Sequence, residues 1–123
     1  MEGVEQSEEY AQIGYELMRS EDSLNWILEA DISVGFLKSD KGKKNKGRIV
    51  FGDCHKVPDR YKCFIPYDFL ITIYERNIIE FNDKQVRALI HHELLHVGDG
   101  MVNPHDIEEF YEIMNTYGLD WSR

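Results

Sequence analysis

Residues 67–100, YDFLITIYERNIIEFNDKQVRALIHHELLHVGDG, contain the two patterns that decide the fold. The run at 67–75 is apolar and rich in β-branched and aromatic residues, which predicts a strand covered on both faces by helices. Asn82 or Asp83 can then cap a helix, and Gly98 can end it. The apolar stripe of this helix consists of Val86, Leu89, Ile90, Leu94 and Val97. A buried strand followed by an amphipathic helix is therefore predicted.

The predicted helix carries the motif HELLH at residues 92–96. Residues four apart lie on one helix face, so His92 and His96 can both direct a ring nitrogen at a single zinc ion. Glu93 follows the first histidine directly, and the glutamate of this motif reaches the reacting water and acts as general base. The motif predicts a zinc-dependent hydrolase of the peptidase type, with Glu93 as its catalytic residue and His92 and His96 as metal ligands.

A catalytic zinc site has three protein ligands and one open position, so a third ligand is needed. We predict His105, which lies nine residues after His96 beyond a glycine-containing turn. On an ideal helix His105 would point away from the apolar stripe, toward a cleft or toward solvent. The carboxylates that could take its place are Asp99, Asp106, Glu108, Glu109 and Glu112.

The segment before residue 67 predicts helices first and strands second. Ser7 can cap a helix that ends near Arg19, and a further helical turn opens at Asp22 or Ser23. Residues 32–36 then alternate between apolar and small or polar side chains, which indicates a half-buried strand.

A second strand is predicted at 48–53, joined to the first as an antiparallel hairpin by the basic segment 38–48, KSDKGKKNKGR. This segment could bind phosphate, but a solvated hairpin loop is the favoured interpretation. A last helix opens at Asn103, with Pro104 at its first position. Its predicted core stripe consists of Ile107, Phe110, Tyr111, Met114 and Tyr117.

The order of helices, strands and helices predicts an α+β fold in one domain, residues 1–123. We expect a mostly antiparallel or mixed sheet of about three strands. It should pack against the N-terminal helix, the motif-bearing helix and the C-terminal helix.

The net charge and the hydropathy of the sequence limit the classes of partner and the cellular locations that we expect. The net charge of −9 disfavours nucleic acid and anionic membranes, because an acidic field repels phosphates. No run approaches the ~20 apolar residues of a membrane helix. The N-terminal sequence MEGVEQSEEY is acidic where a signal peptide would be basic, so we expect a cytoplasmic protein.

The remaining histidines and the cysteines are expected to be structural. Cys54 and Cys63 have no neighbouring pair that would complete a four-thiolate zinc site, and a reducing compartment would keep them as thiols. His91 faces about 100° away from His92 on the predicted helix. His55 lies near the second strand.

Residues 67–98 together with 104–118, PHDIEEFYEIMNTYG, resemble the putative phage metallopeptidase family of small zincin-like proteins. The resemblance implies a zincin fold with His92, Glu93 and His96 in the motif positions, and it favours His105 as the histidine of the HD pair. It also implies a phage or prophage gene expressed in a bacterial host, and a protein or peptide substrate. The metzincin pattern HExxHxxGxxH does not fit, because Asp99 stands at its glycine position.

One alternative uses the same metal without catalysis. A zinc-stabilised binding or regulatory module of phage or prophage origin would hold the ion with four protein ligands and leave no open position.

Overall fold

The computed structural model describes residues 3–104, 111–118 and 121–122. Within these ranges the helices are α1 (Glu8–Ser20), α2 (Asn25–Glu29), α3 (Asp83–Leu95) and α4 (Tyr111–Tyr117). The strands are β1 (Val4–Gln6), β2 (Val34–Ser39), β3 (Lys43–Asn45), β4 (Arg48–Val50), β5 (Gly52–Lys56) and β6 (Phe69–Tyr74).

Four of the strands form one mixed sheet in the order β1-β2-β6-β5. β2 and β6 are parallel, whereas β1 and β5 pair antiparallel with their neighbours. The predicted α+β class with a mixed sheet is confirmed, although this sheet has four strands instead of about three. The additional strand is β1, whose three residues are too few to show a period-two pattern.

The predicted hairpin between residues 32–36 and 48–53 is wrong. β2 instead runs parallel to β6, and the 48–53 segment divides at Phe51 into β4 and β5. β4 pairs with β3 inside the basic segment, and β5 pairs with β6. The reason is a two-residue turn at Lys46 and Gly47, whose φ angles of 53° and 78° match the hairpin turn that suits the twist of paired strands.

β6 lies at the centre of the core. Its Phe69, Ile71 and Ile73 are at most 2% exposed, whereas the alternate residues of the strand are half-buried. The strand is therefore fully covered on one face only, which corrects the prediction of a strand covered on both faces. The other buried core residues include Leu17, Met18, Leu24, Ile27, Val34, Leu89, Ile90, Leu94 and Val97.

The predicted caps of α1 and α3 are confirmed, whereas the predicted cap at Asp22 or Ser23 is wrong, because α2 follows Leu24 without a side-chain cap. The Ser7 hydroxyl accepts a hydrogen bond from the Tyr10 amide at 3.1 Å, and a 3-10 turn at Asp22–Leu24 leads into α2. Asn82 caps α3 in a reciprocal arrangement with Gln85, at 2.8 and 2.9 Å. α3 thus has a fixed start, which sets the direction of the motif at its other end.

The last helix is only partly covered by the described residues. α4 spans Tyr111–Tyr117, and Ile113, which the predicted stripe omitted, is fully buried. The predicted helix start after Pro104 and the stripe residues Ile107 and Phe110 lie outside the described residues. No described helix is both long and apolar enough to cross a membrane.

Candidate metal centre

The three motif residues converge at the C-terminal end of α3. The potential ligand atoms of His92, Glu93 and His96 all lie within 4.8 Å of one another, and the two imidazole centroids are 5.2 Å apart. Ile90 and Leu94 are fully buried on another face of the helix, so packing fixes its rotation. The fold therefore brings His92, Glu93 and His96 together, as the motif predicts.

His96 is oriented by a backbone carbonyl. Its Nδ1 lies 2.6 Å from the Asn103 carbonyl oxygen, which can only accept a hydrogen bond, so Nδ1 carries the proton. Nε2 is then the unprotonated nitrogen, the form that binds a metal ion. Two imidazoles beside a carboxylate, with one imidazole held by a carbonyl, form a donor set that fits zinc.

Asn103 closes the end of the motif helix. Its backbone N–H donates to the His96 carbonyl at 2.6 Å, and its side-chain amide donates to the carbonyls of Leu95 and Val97 at 3.3 and 3.1 Å. These bonds satisfy carbonyl groups that the helix end leaves without intrahelical partners. The turn between His96 and Asn103 needs a glycine at position 98, because a Cβ there would lie 2.4 Å from the Met101 carbonyl oxygen.

The structure places the end of α3 earlier than the sequence predicts. α3 ends at Leu95 with His96 as its C-cap, two residues before the apolar stripe was expected to stop. A β-bridge between Val97 and Val102 then reverses the chain, which brings Asn103 back to the helix end. An asparagine before a proline has the pattern of a helix N-cap, so sequence reasoning missed its contacts with His96.

Glu93 is buried between α3 and β5. Its side chain is 5% exposed, and one carboxylate oxygen lies 3.9 Å from His92 Nε2. A Cβ built at Gly52, the first residue of β5, would lie 3.5 Å from Glu93 Cγ. The motif carboxylate therefore lies at the start of an edge strand.

Cys54 is close to this carboxylate but remains a thiol. Burial raises the pKa of the Cys54 thiol, and the carboxylates of Glu93 and Asp53 raise it further. A neutral thiol is a poor nucleophile. Both cysteines are free, with Cys63 exposed, in agreement with the expectation that they are thiols.

A cleft of about 510 Å³ opens over His92 and Glu93. One wall is the β3–β4 hairpin with Arg48, and another is the indole of Trp121, whose ring centroid is 6.4 Å from that of His92. Trp121 also packs edge-on against Phe81 at 6.2 Å. Sequence reasoning missed Trp121, because it lies 25 residues beyond His96 and belongs to no periodic pattern.

His91 occupies the opposite side of α3 and is fully buried. Its Nδ1 lies 3.0 Å from the Tyr117 hydroxyl, and its Nε2 contacts the Glu112 carboxylate. The Ser23 hydroxyl donates to the same carboxylate at 2.8 Å. Glu112, one of the alternative third ligands, is thus bound to His91, and His91 joins α3 to α4 as a structural residue.

The other predicted site residues divide into two groups. Asp99 is exposed in the turn after the motif, and His55 is exposed on β5. His105 lies outside the described residues, as do Asp106, Glu108 and Glu109.

Comparison with known proteins identifies the family. No curated protein and no solved structure matches the chain. The model of the family described as "Putative phage metallopeptidase" matches residues 2–123. This match extends the resemblance seen at residues 67–98 and 104–118 to nearly the whole chain. The chain therefore belongs to the putative phage metallopeptidase family.

Proposed function

We propose that this protein is a zinc-dependent peptidase in which His92, His96 and His105 bind the metal and Glu93 is the general base. The observation that supports this most strongly is the convergence of the three motif side chains within 4.8 Å, with His92 and Glu93 lining an open cleft. The proposal includes a single zincin-like domain over residues 1–123 and a cytoplasmic location in a bacterial host.

The assignment of His105 as third ligand is supported by the position of Asn103. Both the N–H and the carbonyl of Asn103 are hydrogen-bonded to His96. His105 follows two residues later, and two residues span at most about 7 Å. This short chain separation from the residue that contacts His96 supports His105 as the third ligand.

The chemistry combines a metal with a buried base. A zinc ion held by the three histidines would polarise the scissile carbonyl and lower the pKa of a water molecule toward about 7. Glu93 takes the proton from this attacking water and passes it to the leaving amine nitrogen. Its burial beside β5 keeps the carboxylate in one position and limits competition from bulk water.

An extended peptide can be held by the edge of the sheet. Among the described strands, β5 pairs only with β6, so the opposite edge of β5 is available for main-chain hydrogen bonds. β5 begins at Gly52, which lies beside Glu93. A peptide that pairs with this edge would therefore lie next to the general base, Glu93. This geometry favours a peptide substrate over a small molecule.

The decisive experiment compares two glutamate-to-glutamine substitutions, each of which removes one negative charge. Glu93→Gln should retain zinc and lose at least ~100-fold in cleavage of a pooled set of fluorescence-quenched peptides, because a positioned base contributes about 10²–10⁴-fold. Glu80→Gln alters an exposed glutamate in the turn before α3 and should retain wild-type cleavage.

Two outcomes would contradict the proposal. Cleavage that survives in Glu93→Gln would exclude Glu93 as the base. A zinc ion with four protein ligands, together with no cleavage by the wild type, would favour the non-catalytic zinc-stabilised module.

A further inference from the structure

The β3–β4 hairpin concentrates positive charge beside the cleft. Residues 38–48 contain six basic residues and one acidic residue, in a chain of net charge −9. Lys43 is paired with Asp53 at 2.7 Å. Within the part of the chain that the structure describes, Lys44, Lys46 and Arg48 form no ion pair, and all three are exposed.

The register of the hairpin separates two of these charges. Asn45 lies opposite Arg48, and both line the cleft. Lys44 lies opposite Ile49, one position along each strand, and Lys44 does not line the cleft although Ile49 does. Because successive strand residues point to opposite faces, Lys44 is on the face opposite to that of Arg48.

The hairpin is held firmly at its base. The Asn77 side-chain amide donates to the Lys43 carbonyl at 3.0 Å and to the Val50 carbonyl at 2.8 Å, and these two residues are cross-strand partners. Lys43 Nζ and the Tyr74 hydroxyl both donate to the same Asp53 oxygen at 2.7 Å. These bonds fix the backbone that carries Arg48 in the cleft wall, so binding need not order that backbone.

We propose that Arg48 makes the cleft selective for peptides that carry an aspartate or glutamate side chain on the hairpin side of the scissile bond. This inference rests on the proposed peptidase function. A guanidinium binds a carboxylate through two parallel hydrogen bonds, which supplies both charge and geometry. A single carboxylate is a better match than nucleic acid, because a polyanion would also meet the acidic remainder of the protein.

The test uses matched peptides and matched variants. Quenched peptides that differ by Glu or Gln at one position at a time are given to the wild type, Arg48→Gln and Lys44→Gln. We expect the wild type to cleave one Glu peptide about ten-fold better than its Gln partner, as expected for a charge-assisted hydrogen bond. The ratio should fall to about one in Arg48→Gln and stay near ten in Lys44→Gln.

A binding assay separates this proposal from the proposed function. Zinc-loaded Glu93→Gln is titrated with fluorescein-labelled Glu and Gln peptides and with a short DNA duplex, and anisotropy is recorded. The Glu peptide should bind more tightly than the Gln peptide, and this difference should disappear when Arg48→Gln is added to Glu93→Gln. That result supports the specificity even if no peptide is cleaved. Equal binding of the two peptides, an equal loss in Lys44→Gln, or tighter binding of the duplex would overturn it.

Discussion

Replacing Asn103 by alanine isolates the support of the motif helix from the metal ligands themselves. The substitution removes the side-chain amide that donates to Leu95 and Val97 at 3.3 and 3.1 Å. The backbone carbonyl that accepts the His96 Nδ1–H remains chemically present. The change therefore loosens the helix end without removing a ligand.

The expected losses follow from those two bonds. A net contribution of about 0.5–1.5 kcal/mol for each hydrogen bond gives a loss of about 1–3 kcal/mol in the free energy of unfolding of the metal-free protein. This loss lowers Tm by roughly 5–10 °C for a chain of this size. Because the backbone at residue 103 also orients His96, we expect zinc affinity to fall about ten-fold.

The control is Asn82→Ala at the other end of the same helix. Asn82 caps α3 through Gln85, so its removal should cost about 1 kcal/mol in stability. It lies far from the motif and should leave zinc affinity unchanged. Urea denaturation in the presence of chelator measures stability, and competition with a chromophoric chelator measures the zinc Kd. Equal zinc affinities in the two variants would refute the argument that Asn103 orients His96.

Three further changes test other parts of the structure. Asn77→Ala should destabilise the protein by about 1–2 kcal/mol and speed proteolysis within the β3–β4 hairpin; unchanged protease sensitivity would show that Asn77 does not hold it. The Ser33 amide donates to the Asp68 carboxylate at 2.9 Å, and this bond lowers the pKa of that carboxyl. The stability that the bond adds is therefore complete above the ordinary carboxyl pKa of about 4. It is lost as the pH falls through the lower pKa of the folded state. Urea titrations should show the wild type and Asp68→Asn differing at pH 6 and converging in acid, and a constant gap would contradict this. Glu112→Ala should cost about 1–3 kcal/mol in urea denaturation because buried His91 loses a charged partner, and a loss below about 0.5 kcal/mol would exclude that role.

The motif helix could be predicted because its determinants are local. Helical spacing placed His92 and His96 on one face, and the Asn82 cap is encoded within a few residues. The same spacing separated His91 from His92, and the structure shows His91 buried against Glu112 and Tyr117. These features need no information about the rest of the chain.

Strand pairing could not be predicted in the same way. The parallel pairing of β2 with β6 joins residues 35 positions apart, such as Val34 and Phe69, and local alternation is equally compatible with an antiparallel partner. The turn at Lys46 and Gly47 lay within a segment interpreted as a loop. Trp121 and Asn103 reach the site only through tertiary contacts, so their side chains gave no local signal.

Zinc content after exhaustive dialysis tests the central claim most directly. Wild type, Glu93→Gln and His92→Ala are purified without added chelator, dialysed against metal-free buffer and assayed by atomic emission. We expect about one zinc ion per chain in wild type and Glu93→Gln, and none in His92→Ala, since loss of one ligand from a three-histidine site removes tight binding. Stoichiometric zinc in His92→Ala would contradict the assignment of the motif as the metal centre.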